Sequence, residues 1–80
     1  MDKVFDRGYY QLGKDKIAML RFLLESYDGL VFLRTLDNRQ ALVELAWPPS
    51  RAADARALIA ALEGELGMQP APVPAEIPPL

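Results

Sequence analysis

The sequence predicts an α+β fold, and three observations carry that reading. Two apolar runs, Leu30 to Leu36 and Ala41 to Trp47, flank the polar residues Asp37-Asn38-Arg39-Gln40. Two other stretches, Lys14 to Tyr27 and the segment after Ser50, repeat apolar residues at helical spacing. An aromatic-rich stretch, residues 3 to 12, precedes the first of them. The order is therefore strand, helix, strand, strand, helix.

The first strand spans KVFDRGYYQL, where aromatic and branched residues favour extended backbone. Gly8 in its middle signals a bulge or a close backbone approach. Gly13 ends it. In the first helix Ile17, Leu20, Leu24 and Tyr27 form a stripe with Leu23 beside it. Asp15 suits the positive end of the helix dipole. Asp28-Gly29 is the stop, since glycine readily takes the left-handed conformation. Ala18, Met19 and Phe22 carry apolar surface beyond that stripe, which hints at contact outside the monomer.

The hairpin strands barely alternate between apolar and polar residues, so both faces of their sheet are expected to be covered. The expected register pairs Arg34 with Glu44, Leu36 with Leu42 and Phe32 with Ala46 on one face. On the other it pairs Thr35 with Val43, Leu33 with Leu45 and Val31 with Trp47. This second face is the more uniformly apolar and should meet the helices. Pro48-Pro49 ends the third strand, because proline cannot donate to the ladder. Ser50 is the expected N-cap of the second helix. Ala55, Leu58, Ile59, Leu62 and Leu66 make its apolar stripe, and Gly67 ends it. Residues 1–67 thus read as one domain, with residues 68–80 as a proline-rich extended tail.

A right-handed crossover would set the first strand parallel to the third, in sheet order 1-3-2, with both helices on one face. This is a ferredoxin-like β-α-β-β-α sandwich lacking its last strand. The vacant place beside the first strand would stay empty, or be filled by the tail or another chain. Val73, Ile77 and Leu80 are the tail residues expected to dock on an apolar surface. The expected core is Leu20, Leu24, Val43, Leu45, Leu58, Ile59 and Leu62.

The segment LRFLLESYDGLVFLRTLD, followed by ALVELAWPPS, resembles the bacterial domain-of-unknown-function family 4911 over residues 3 to 67. Its most specific parts are Tyr27-Asp28-Gly29, Arg34-Thr35-Leu36-Asp37 and Pro48-Pro49. The resemblance implies the element order and brings no activity. In strand order the chain is also similar to ACT domains, small-molecule-sensing modules that pair through their sheets. ACT domains carry an acidic or amide residue followed by Pro-Gly between the first strand and helix; here Leu12-Gly13-Lys14-Asp15 stands in that place.

Composition narrows the function. Eighty residues make one domain, which buries roughly 60–65% of its unfolded surface and needs support from elsewhere. There is no cysteine and no histidine, so a disulfide or a Cys/His metal site is excluded. No metal or cofactor is expected. Oligomerisation is the remaining support, and a homodimer is expected. No stretch resembles a signal peptide or is long enough to span a membrane, so a cytoplasmic location is expected. The net charge of −2 argues against a nucleic-acid partner.

No catalytic pair emerges. Asp28 and Asp37 lie at opposite ends of the second strand, where they serve a helix end and a turn. Ser26, Ser50 and the tyrosines have no histidine base, so no enzymatic activity is expected. Gly13-Lys14 lacks the loop that cradles phosphates. The candidate interface is the less apolar sheet face: Phe5, Tyr9, Phe32, Arg34, Leu36, Leu42 and Glu44. Arg34 and Glu44 read first as a cross-strand ion pair. Arg7, Tyr9, Phe32 and Arg34 have the chemistry of an RNA-stacking face, but ALVELAW lacks the Gly and aromatic pattern of such sheets. The leading expectation is a small binding or scaffolding module that self-associates through its sheet. A small-molecule-sensing domain, with ligand at a dimer interface, is the alternative, and RNA binding is third. An unidentified protein or small-molecule partner fits either of the first two.

Overall fold

The computed structural model describes residues 5–27 and 29–72. The elements are β1 (Asp6–Gln11), α1 (Ile17–Glu25), β2 (Phe32–Asp37), β3 (Leu42–Trp47), α2 (Ala52–Leu66) and β4 (Gln69–Pro70). The fold is α+β: two helices and one four-stranded sheet, ordered β2-β3-β1-β4 and antiparallel at every pairing.

Two expectations about the sheet are corrected. β1 runs antiparallel to β3, not parallel. The reason is geometric: the α1 crossover makes β1 and β2 run the same way, and the tight hairpin then reverses β3. The described sheet has four strands rather than three: the expected order 1-3-2 is continued by β4 beside β1, in the place expected to be empty or filled by the tail or another chain. Met68, which follows the Gly67 stop of α2, is 4% exposed and belongs to the core cluster. Gln69 and Pro70 then pair with Gln11 and Tyr10, and the Ala71 N–H donates to the Tyr9 carbonyl at 2.7 Å. Val73, Ile77 and Leu80 lie outside the described residues, as does Asp28.

The hairpin register pairs Phe32 with Ala46, Leu33 with Leu45, Arg34 with Glu44 and Thr35 with Val43. The expected Leu36–Leu42 pair is absent. A register shift between Thr35 and Asp37 sets Asp37 opposite Leu42 instead. The turn explains the stop. Asp37 Oδ1 accepts hydrogen bonds from the backbone N–H groups of Arg39 (2.9 Å) and Gln40 (3.3 Å), an Asx-type closure.

Both helices pack on one face. Leu20 and Leu24 of α1 and Ala55, Ile59, Leu62 and Leu66 of α2 form one cluster with Val43, Leu45 and Trp47. Of the expected core, only Leu58 is half-buried rather than buried. Gly67 takes φ 70° at the end of α2, the left-handed stop read from the sequence. The start of α2 differs. Ser50 lies in a 3₁₀ turn (Pro49–Arg51), and Arg51 precedes the helix without a side-chain cap. Proline at the first turn position supplies the pre-set φ that starts it. Gly8 marks a close approach and no bulge: the β1–β3 register is continuous, and an added Cβ would lie 2.9 Å from the Tyr10 ring. No described helix is long and apolar enough to cross a membrane.

Candidate functional site

Strand alternation builds the site. With Val43, Leu45 and Trp47 facing the helices, Leu42, Glu44 and Ala46 face the other way. Their partners in register are Phe32 and Arg34 on β2 and Arg7, Tyr9 and Gln11 on β1. Among the described residues no helix covers this open face.

Glu44 is its centre. It is a buried charged residue, 6% exposed, on a face without helices. Its neighbours provide the cover. The Tyr9 hydroxyl donates to Glu44 Oε2 at 3.2 Å, and Arg34 Nε stands 4.0 Å from Glu44 Oε1. Burial raises the Tyr9 hydroxyl above its ordinary pKa, helped by the hydrogen bond to Glu44 and that carboxylate's charge. Arg7 and Arg34 oppose the shift, so both cations act on the same spot. Tyr9 therefore remains a proton donor to the carboxylate throughout the neutral range. Two arginines and one carboxylate leave the centre of this face with a local excess of positive charge, in a chain of net charge −2.

Beside this polar centre the face is aromatic. The Phe5 and Phe32 rings lie 5.6 Å apart, tilted by 35°. Phe5 is 36% exposed and Phe32 48%. Leu36 and Leu42 are half-buried. The structure thus joins Tyr9, Arg34 and Glu44 in one network and Phe5 with Phe32 in one pair. The register shift removes Leu36 from its expected pairing with Leu42.

Two features were not legible in the sequence. A cleft of about 350 Å³ opens between α1 and β2, with Leu24, Val31 and Leu33 as its apolar part and Arg21 and Glu25 beside them. Phe32 also lines it, so the cleft and the open face share one residue. Only the spacing of Arg21 and Glu25, four apart on a helix, could have pointed to it. The second is Trp47. It is core, as its strand position implies, but its indole N–H has no hydrogen-bond partner among the described residues. Among the described residues no group of carboxylates is arranged to hold a metal ion.

The fold and its open face define a small α+β module with one sheet surface that no helix among the described residues covers. The family model described as "Domain of unknown function (DUF4911)" matches residues 10–65, and the chain belongs to that family. No curated protein and no solved structure matches the chain.

Proposed function

We propose that this protein is a non-enzymatic binding or scaffolding module that self-associates through the open face of its sheet. The reading treats the fold as ferredoxin-like, with a much-shortened last strand, and the occupant of the face as a second copy of the chain. One observation carries it: Phe5 and Phe32 lie against each other as a tilted pair and remain exposed, on the face where Glu44 is already desolvated. Exposed paired aromatics around a polar, hydrogen-bonded centre have the composition of an interface core. A two-fold axis through the face would place the same patch on both partners. A fold of 80 residues gains the burial that its own core cannot supply.

The test is Phe32→Asp. It puts a charge at the aromatic pair without touching the helix-side core, and it should yield monomers. Unchanged dimer affinity in a folded Phe32→Asp variant would remove the face from the account.

A second reading has its own observation. Arg7 and Arg34 both act on Tyr9, and Glu44 is the one carboxylate between them. A small organic acid bound there would make the protein a ligand-sensing regulatory domain, with ligand at the dimer interface. Thermal stabilisation that saturates with a small carboxylate or phosphate ester, and disappears in Arg34→Gln, would favour this reading.

A further inference from the structure

β2 is the outermost strand on its side of the sheet, and the pairing on the other side shows which backbone groups its edge presents. The Ala71 N–H donates to the Tyr9 carbonyl at 2.7 Å, so Tyr9 turns its backbone groups away from β3. In an antiparallel ladder, pairs that exchange hydrogen bonds alternate with pairs that do not. Tyr9–Glu44 is therefore of the second kind, and Glu44 turns its N–H and C=O to Arg34. Phe32 and Arg34 then bond to β3, while Leu33 and Thr35 point N–H and C=O outward. Among the described residues nothing bonds to those four groups. The strand holds no proline or lysine to blunt this edge, and only the register shift after Thr35 ends its regular part.

Both sides of the edge are furnished. On the helix side, beside Leu33, opens the cleft of about 350 Å³ with Leu24 and Val31 in its wall, which has room for a large apolar side chain. On the open side stand Phe32, 48% exposed, and Arg34, one of two cations around the single carboxylate Glu44. A strand added here would alternate, with one side chain toward the cleft and its two neighbours against Phe32 and Arg34. Charge complementarity decides the occupant, because the residue opposite Arg34 should be an acid. A second copy paired two-fold through the same edge supplies none. In the registers that match outward groups, it sets Arg34 against Leu30, Phe32, Leu36 or its own counterpart.

We propose that the β2 edge and the cleft beside it bind an extended segment of a partner protein, antiparallel to β2, that reads acidic, apolar, aromatic from its N-terminal side. The acidic residue lies opposite Arg34, the apolar one opposite Leu33 at the cleft, and the aromatic one opposite Phe32. Main-chain hydrogen bonds to Leu33 and Thr35 give affinity, and the alternating side chains choose the segment. This inference does not depend on self-association through the open face.

The probe is the synthetic peptide acetyl-Thr-Glu-Leu-Tyr-Thr-amide, titrated into the full chain and read by amide hydrogen exchange, residue by residue. The Leu33 and Thr35 amides should exchange freely in the chain alone and slow at least about tenfold as the peptide saturates. Phe32 and Arg34, which bond to β3, should be protected throughout. Exchanging the peptide's Glu for Lys should weaken binding at least about fivefold. Methylating its Leu nitrogen, which removes the donor to the Leu33 carbonyl, should abolish the protection. No slowing at Leu33 and Thr35 with about millimolar peptide would overturn the proposal, as would equal binding of the Lys peptide. Protection of both amides in the chain alone would overturn it too. Protection that fades on dilution would make the occupant a second copy, and protection independent of concentration would make it a segment of the same chain.

Discussion

Tyr9→Phe removes one hydroxyl and nothing else from the open face. In the folded chain that hydroxyl donates to Glu44 Oε2 at 3.2 Å, and Glu44 is 6% exposed. A hydrogen bond to a charged group contributes about 1.5–3 kcal/mol. The distance is long for an O–H donor, whose usual range centres near 2.7–2.8 Å, so the low end applies. The remaining neighbour compensates little, because Arg34 Nε stands at 4.0 Å and its side chain is 28% exposed. Such a partly solvated pair is worth about 0.2–1 kcal/mol. Tyr9→Phe should therefore cost about 1.5 kcal/mol, or roughly 6–12 °C in Tm for a domain this small. Urea denaturation followed by the fluorescence of the buried Trp47 reads it, at fixed protomer concentration. Glu44→Leu supplies the control. Replacing a buried ionic group by an apolar one of similar size is often neutral or stabilising. In that background Tyr9→Phe should lose most of its effect, with a coupling of about 1 kcal/mol. Equal costs in the two backgrounds would refute the idea that the hydroxyl acts through Glu44.

Three other outcomes follow from the core, the helix end and the tyrosines. Leu45 is fully buried between sheet and helices, so Leu45→Ala should cost about 2–5 kcal/mol by denaturant titration; a loss under about 1 kcal/mol would contradict the packing. Gly67 takes φ 70°, so Gly67→Ala should cost roughly 1–2 kcal/mol although an added Cβ meets nothing within 4 Å, and an unchanged midpoint would be the contrary result. Alkaline titration tests Tyr9 and Tyr10. Burial raises both hydroxyls, assisted by Glu44 and Glu63 respectively. With folded pKa values above the unfolded value of about 10, their contribution is full below pH ~10 and is lost as pH rises through the folded values. Stability should thus fall more steeply above pH 10 in the native protein than in Tyr9→Phe; identical slopes would count against the buried hydroxyl.

Most of the hairpin was legible in the sequence, because strand alternation leaves little freedom once one face must meet the helices. Val43, Leu45 and Trp47 could only pack inward, and that put Glu44 opposite Arg34. The shift at Leu36 was not legible, since it arises from where the Asp37 carboxylate closes the turn. β4 was legible only as a place: the sequence left the flank of β1 empty or to be filled by the tail or another chain, and the pairing of Gln69 and Pro70 with Gln11 and Tyr10 is what the structure adds. The burial of Glu44 was also out of reach. A cross-strand ion pair reads as a surface feature, and its desolvation depends on Tyr9 from a strand 35 residues away in sequence.

The most direct test of self-association is the mass of the native chain in solution across a wide concentration range. Sedimentation equilibrium from low micromolar to near-millimolar protein should give a species of twice the 8.9 kDa chain mass, dissociating reversibly on dilution. Phe32→Asp should hold the monomer mass over the same range. A native chain that remains at 8.9 kDa at every concentration would contradict the account.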